Sequence, residues 1–202
     1  MQGEGAQAGH PAVFCRFSGC NLWSGKEEDR AKATCRFCDT DFRGGKRYTE
    51  QELIEAIRTT WGGVASMSDC AVSKVGSHPL CVFTGGEPAL QLTESLIMGL
   101  IRENMSVAVE TNGTIPLPPG AYWRTVSPKA GTILKQTSGN ELKLVWPQPD
   151  IDTEYLRSLP FKHFYLQPMD GTEGALDATI TKVLSDPRWN LSLQTHKMVG
   201  LR

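Results

Sequence analysis

The chain has 202 residues, 40% of them hydrophobic and 21% charged, with a formal net charge of −1. That length suits one domain that can bury a core without disulfide staples. The near-neutral balance excludes bulk electrostatic capture of nucleic acid or of an anionic membrane. No run approaches the roughly 20 apolar residues of a membrane span, and Met1 to His10 lacks the pattern of a signal peptide, so a cytoplasmic protein is expected.

Ala12 to Phe17 reads as a short strand. Ser18 to Lys46 has no sustained apolar period and is rich in Gly, Cys, Arg and Asp; so long a stretch without structure in a compact domain is usually functional or disordered. Thr49 and Glu52 form a capping box, and Leu53, Ile54, Ile57 and Trp61 share one helical face. A polar connector from Gly62 to Pro79 leads to a buried-type strand, Leu80 to Thr84. Thr93 caps a second helix with Leu96, Ile97, Leu100 and Ile101 inward, and Val107 to Glu110 is the next strand. After a turn at Pro116 to Pro119 come strands at Thr125 to Ser127, Leu142 to Trp146 and Phe164 to Gln167. A third helix is predicted over Ala175 to Leu184, with Leu176, Ile180, Val183 and Leu184 inward, before a last strand at Leu191 to Gln194.

Alternating strands and helices argue for a parallel α/β sheet, open or curved into a partial barrel. Ligands bind such folds at the C-terminal ends of the strands. The unusual polar clusters fall there: Gly85-Gly86-Glu87-Pro88, Thr111-Asn112-Gly113, Pro128-Lys129, Pro168-Met169-Asp170 and Thr195-His196-Lys197 each follow a strand.

There are six cysteines: Cys15, Cys20, Cys35, Cys38, Cys70 and Cys81. Cys35 and Cys38 form a C-x-x-C pair, with Cys20 earlier in the same loop. A structural zinc site normally takes four protein ligands, whereas a [4Fe–4S] cluster on three cysteines keeps one iron open. No His lies between Cys20 and Cys38, although His10 can supply a ligand from outside. Zinc, redox chemistry and an iron–sulfur cluster stay open on the cysteines alone. Cys15 and Cys81 lie in apolar strands and read as buried small side chains; Cys70 has no evident partner. Glu110 and Lys143 are polar groups in apolar strands, which suits a buried pair between neighbouring strands as well as it suits catalysis. Trp23 and Trp61 read as packing residues.

Phe37-Cys38-Asp39-Thr40, with an aromatic residue before the last cysteine, and Thr84-Gly85-Gly86-Glu87-Pro88 after a strand resemble the radical S-adenosylmethionine (SAM) superfamily. The usual C-x3-C-x2-C spacing is replaced by fourteen residues between Cys20 and Cys35, which resembles one subgroup of the 7-carboxy-7-deazaguanine synthases. Gln2-Gly3-Glu4-Gly5, Arg16, Cys20-Asn21-Leu22-Trp23, Glu110-Thr111-Asn112-Gly113, Ser127-Pro128-Lys129, Gln167-Pro168-Met169-Asp170 and Gln194-Thr195-His196-Lys197 also follow that family's order.

The resemblance implies a single radical SAM domain over residues 1–202: a trimmed partial (β/α) barrel with a long cluster loop after the first strand. Family members usually carry a further strand before the QGEG element, so an N-terminal strand is expected to be missing or truncated. The implied reaction turns 6-carboxy-5,6,7,8-tetrahydropterin into 7-carboxy-7-deazaguanine with loss of ammonia, in 7-deazapurine (queuosine) synthesis. The implied cofactors are a [4Fe–4S] cluster on Cys20, Cys35 and Cys38, SAM, and Mg²⁺ on Thr40. Phe37, Cys38, Asp39, Gly86, Ser127, Pro128, Lys129, Gln167, Pro168, Met169 and Asp170 are implied to bind SAM. Met1, Gln2, Gly3, Arg16, Thr84 and the terminal carboxylate of Arg202 are implied to meet substrate, and His196 to line the site. The resemblance further implies a homodimer served by a flavodoxin or ferredoxin. A glycyl-radical activase and a zinc-stabilised binding module are the competing readings.

Overall fold

The structure, a computed structural model, describes residues 1–65 and 79–201; Cys70 and Arg202 lie outside the described residues. Seven strands form one sheet: β1 (Ala12–Phe17), β2 (Leu80–Gly85), β3 (Ser106–Thr111), β4 (Trp123–Val126), β5 (Gly139–Trp146), β6 (Phe161–Pro168) and β7 (Asn190–Leu191). They lie in sequence order, and every neighbouring pair is parallel. The sheet is open between β1 and β7, as a partial barrel requires.

The helices are α1 (Glu50–Ala65), α2 (Glu94–Arg102), α3 (Thr153–Ser158), α4 (Ala175–Ser185) and α5 (Thr195–Met198). Only loops join β3 to β4 and β4 to β5, which is where the barrel is trimmed. No helix among the described residues is long and apolar enough to cross a membrane.

Local chemistry explains the element ends. The Thr49 backbone N–H donates to Glu52 at 2.8 Å and the Glu52 N–H donates to the Thr49 hydroxyl at 3.3 Å, closing the capping box of α1. The Thr93 hydroxyl accepts from the Leu96 N–H at 3.2 Å to start α2. Ile57 of α1 and Leu96, Ile97 and Leu100 of α2 then pack on Cys81, Phe83, Val107 and Val109 of the sheet. A second cluster joins Leu142, Leu144 and Leu166 to Leu156, Phe164 and Trp189.

Several expectations need correction. Ile101 of α2 is 39% exposed rather than inward, β4 starts two residues before the predicted Thr125, and the last strand is only Asn190–Leu191. On α4, Leu176, Ile180 and Leu184 are 49%, 37% and 79% exposed, and the buried residues are Ala175 and Thr179. The Thr179 hydroxyl donates to the Ala175 carbonyl at 2.6 Å, so it enters the interior already satisfied, and two small side chains set the inward face. Glu110 and Lys143 do pair, but on β3 and β5 with β4 between them. The pair reaches across the barrel's concave face, because inward side chains of alternate strands converge in a curved sheet. Strands β5 and β6 begin three residues before the predicted starts, at Gly139 and Phe161, because the extra residues pair in register and Glu141 turns inward with its carboxyl satisfied.

Candidate functional site

Period-two alternation turns one face of the strands to the helices and the other inward; the inner face is apolar near the strand starts, where Leu80, Val82 and Ala108 are buried together, and mostly polar toward the C-terminal ends. Phe14 and Arg16 of β1, Thr84 of β2, Glu110 of β3, Lys143 and Val145 of β5 and Gln167 of β6 point into one cavity of about 720 Å³. The loop after β1 roofs it. That loop holds one 3-10 turn, Glu27–Lys32, and its anchors are polar contacts to strand ends. The Glu87 N–H donates to the Gly19 carbonyl at 2.8 Å. Asn112 donates to the Asn21 side chain at 3.0 Å, and Asn21 donates to the Thr114 hydroxyl at 2.8 Å.

Two glycines make the first anchor possible. Gly85 has φ +125°, and a Cβ there would overlap the Phe17 backbone. A Cβ at Gly86 would overlap the Gly19 carbonyl. The close approach that Gly86 permits is thus to the loop itself, and the residue also lines the cavity. Next to it, the Glu87 carboxyl is sealed inside and accepts from the Thr111 hydroxyl at 2.7 Å, the Asn112 N–H at 2.7 Å and the Ala89 N–H at 2.9 Å. Burial raises its pKa against those bonds.

Cys20, Cys35 and Cys38 all line the cavity. Burial raises the thiol pKa of Cys35 and Cys38, and the neighbouring cysteines raise it further. Ionised together in this half-buried pocket, the three thiols would need a cationic centre between them. Among the described residues, no three His, Cys, Asp or Glu side chains are gathered as one metal ion would need them. Cys20, Cys35 and Cys38 share the cavity lining, and three cysteines are a donor set that a [4Fe–4S] cluster accepts with one iron left open. Cys15 and Cys81 lie outside this set: burial pushes the Cys15 thiol up to about 11 and raises that of Cys81.

A continuous polar network forms the wall. Buried Lys143 pairs with Glu4 and, at 3.1 Å, with Glu110. Burial alone would depress the Lys143 pKa, but Glu110, Glu4 and Glu141 outweigh it and raise it. Lys143 in turn holds the Glu4 carboxyl below its usual range despite burial. Gln2 donates to Glu110 at 2.5 Å, while its amide oxygen accepts from the N–H groups of Gly3 and Glu4 at 2.7 and 3.2 Å. Gln194 donates to Glu4 at 2.8 Å and to Asp39 at 3.0 Å. Lys197 donates to Asp39 at 2.6 Å and to Asp170 at 2.7 Å. Burial opposes charge on Asp39, and the bonds from Gln194 and Lys197 overcome it, lowering its pKa. Glu141 accepts from the Ala6 N–H at 2.8 Å, and burial pushes its pKa up to about 7.

The residues singled out from sequence are distributed as follows. Met1, Gln2, Arg16, Phe37, Asp39, Thr40, Thr84, Ser127, Lys129, Gln167, Pro168, Asp170 and His196 line the cavity with the three cysteines and Gly86. Gly3, Pro128 and Met169 stand behind it. Gly3 lies against the His196 ring and its carbonyl accepts from Thr195 at 2.9 Å. The Pro128 carbonyl accepts from Gln148, and the Met169 N–H donates to Trp146. The Gln2 amide is engaged within the chain, and Gln167 accepts from the Ser192 hydroxyl at 2.9 Å. The Lys129 ammonium donates to the Ser127 carbonyl and hydroxyl at 2.6 and 2.8 Å, and burial lowers its pKa. Sequence reasoning missed Glu4, Glu141 and Lys197 as network members. Glu141 was within reach, because it stands two positions before Lys143 on the same face.

No family model matches the sequence. The chain is 50% identical over 209 residues to the 7-carboxy-7-deazaguanine synthase of Caulobacter vibrioides, covering 100% of this chain and 94% of that protein. It is 48% identical over 212 residues to the synthase of Bordetella pertussis, again with 100% and 94% coverage. The crystal structure of QueE from Escherichia coli superposes with a TM-score of 0.69 at 24% identity, covering 96% of this chain and 89% of that one, and shares the fold. Half-identity along the whole length, on a parallel open barrel whose mouth gathers three cysteines and a GGEP turn, leaves one conclusion: the chain belongs to the 7-carboxy-7-deazaguanine synthase family.

Proposed function

We propose that this chain is a radical SAM lyase, acting as one domain over residues 1–202, that converts 6-carboxy-5,6,7,8-tetrahydropterin to 7-carboxy-7-deazaguanine with release of ammonia. The observation that carries this reading is the single cavity of about 720 Å³ shared by the three cysteines, the GGEP turn and the polar inner face of the sheet. Its size suits small ligands. Cys20, Cys35 and Cys38 hold a [4Fe–4S] cluster in this reading, and the cluster with bound SAM supplies the one-electron chemistry that starts the reaction.

The chain's own residues position and shield. Phe37, Cys38, Asp39, Gly86, Ser127, Lys129, Gln167, Pro168 and Asp170 form the SAM side of the cavity, with Pro128 and Met169 shaping the turns behind them. The Arg16 guanidinium on β1 opens into the cavity and clamps the substrate carboxylate, a task suited to its fork of donors. Thr84, Met1 and backbone groups near Gln2 and Gly3 read the pterin ring, beside His196. Lys197 holds Asp39 and Asp170 together, which fixes the loop over the strand ends and excludes water. Thr40 would supply one oxygen to Mg²⁺, an ion that takes oxygen ligands. Arg202 belongs to the substrate side of this reading. A flavodoxin or ferredoxin delivers the electron, and the enzyme works as a cytoplasmic homodimer; the apolar stripe of Leu176, Ile180 and Leu184, uncovered on α4, supports the dimer.

The test is an anaerobic assay of reconstituted protein with SAM, reductant, Mg²⁺ and 6-carboxytetrahydropterin, followed by mass spectrometry. The expected result is 7-carboxy-7-deazaguanine, with ammonia released. 5′-Deoxyadenosine without that product would overturn the substrate assignment. Neither species, from protein with a full cluster, would overturn the reaction class.

A further inference from the structure

The three cysteines hang on two differently built arms. Cys20 follows directly from β1 and is anchored to strand ends through Gly19 and Asn21. Cys35 and Cys38 come after a fourteen-residue insert, with no strand or α-helix to fix them. The Leu22 carbonyl pulls the insert back on itself, accepting from the N–H groups of Thr34 and Cys35 at 3.1 and 3.3 Å. That closes the insert, and on the far side Asp39 is held by Gln194 and Lys197 at 3.0 and 2.6 Å; Cys38 lies between the two ties.

One side chain bridges the gap. The Arg30 guanidinium carbon lies over the Trp23 ring, 4.0 Å from its centroid. Its Nη1 donates to the carbonyls of Arg36 and Cys38 at 3.0 and 3.1 Å. Its Nε faces both oxygens of Glu27 at 2.8 Å. Trp23 is itself fixed, donating to the Lys26 carbonyl at 3.0 Å and packing edge-on against Phe42 at 5.5 Å. The Glu27 pair is largely in solvent and contributes little by itself. The two carbonyl bonds are charge-assisted and one falls on the backbone of Cys38.

We propose that Arg30 is a positioning residue: it shapes the long insert into a claw, holds the Cys35–Cys38 pair toward Cys20, and places a permanent positive charge beside the bound cluster. The inference rests on the reading that these cysteines hold a cluster. Only a planar fork can stack on Trp23, bridge two carbonyls and meet Glu27 at once; a lysine ammonium supplies the charge without that geometry.

The experiment uses the full chain, loaded anaerobically with iron and sulfide, as wild type, Arg30→Gln, Arg30→Lys and the control Lys26→Gln, whose ammonium meets only exposed Glu28 at 3.7 Å. Four quantities are read: iron per chain, the bleaching rate under a chelator, the cluster's midpoint potential, and the melting temperature of the iron-free protein. Both Arg30 variants are expected to bleach about tenfold faster than wild type, the scale of losing charged hydrogen bonds, with iron-free melting unchanged. The midpoint is expected to fall in Arg30→Gln alone, because Arg30→Lys keeps the charge. Wild-type bleaching and midpoint in both variants would overturn the inference. Full retention in Arg30→Lys would overturn the fork geometry, and a melting loss matching the bleaching would reduce Arg30 to a fold residue. Wild-type protein that takes up no iron would overturn the cluster reading itself, and this inference with it.

Discussion

On β2, β3, β5 and β6 the side chains facing the helices include Phe83, Val109, Leu144 and Leu166, all sealed from solvent. Those facing the cavity from the same strands are Thr84, Glu110, Lys143 and Gln167. The outer face is held by area removed from water, which is indifferent to partner identity and tolerant of apolar exchange. Beyond a small apolar cluster of Leu80, Val82 and Ala108, the inner face is held by pairing: each buried charge there stands only because a specific opposite charge or N–H meets it. The outer face therefore supplies stability that pH does not reach, while the inner face ties stability to protonation.

The sharpest way to break the contrast is to delete one side chain from each face. Lys143→Met leaves Glu4 and Glu110 facing each other with no cation between them, and is expected to cost about 3–5 kcal/mol at neutral pH. Leu144→Ala on the same strand is expected to cost about 2–5 kcal/mol through lost contacts and a cavity. Urea unfolding across pH separates them. The Lys143→Met deficit should shrink as acid neutralises the carboxylates, and the Leu144→Ala deficit should not move. Equal pH profiles for the two variants would end the distinction between the faces.

Glu141 gives the next effect, about 3 kcal/mol, from a pKa of about 7 in the fold against 4.5 in the unfolded chain. Between those values the native state binds more protons than the unfolded one. This group's contribution is therefore fully present below pH 4.5 and is lost as pH rises through about 7. The difference in stability between wild type and Glu141→Gln, followed from pH 4 to 8, should trace that window. A constant difference would mean that Glu141 is ionised in the fold throughout.

The outer face was far more legible in the sequence than the inner one. β1 matches its predicted span, and the caps at Thr49 and Thr93 are where their local patterns put them, because these signals involve residues a few positions apart. The rim clusters after each strand were legible as polar residues in places where an apolar run stops. The pairings that join them were not: Glu4 and Lys143 are 139 positions apart, and Asp39 and Lys197 are 158 apart. Nothing local marks such partners. Helices α3 and α5, of six and four residues, are too short for an apolar period. Arg30 sits in an insert held by single contacts, among them its guanidinium over Trp23 and the Leu22 carbonyl, rather than by any repeating pattern.

The rim between the two faces offers a smaller test. Gly86→Ala pushes a methyl group against the Gly19 carbonyl, which neither face can absorb because both neighbours are backbone. The expected cost is about 1–3 kcal/mol, as for overpacking elsewhere, together with reduced iron uptake as the Cys20 arm shifts. A thermal melt and an iron assay of the same preparation check both. Normal iron uptake in a destabilised Gly86→Ala would separate the turn from the loop it supports.

The least effect is expected where the outer rule itself fails. On α4 an amphipathic pattern points Leu176, Ile180 and Leu184 to solvent, while Ala175 and Thr179 go inside. If burial within the chain governs stability, Leu184→Lys should change the unfolding free energy by less than about 0.5 kcal/mol. Thr179→Leu, which adds volume inside and removes the hydroxyl that donates to the Ala175 carbonyl, should cost about 1–3 kcal/mol. The comparison is decided at micromolar and at much lower protein concentration by urea unfolding. A Leu184→Lys loss that appears only at the higher concentration would mean that a second copy of the chain covers this stripe, and that the outer face continues across subunits. A loss at both concentrations would mean that Leu184 is held within the chain, and that the face assigned to α4 is wrong.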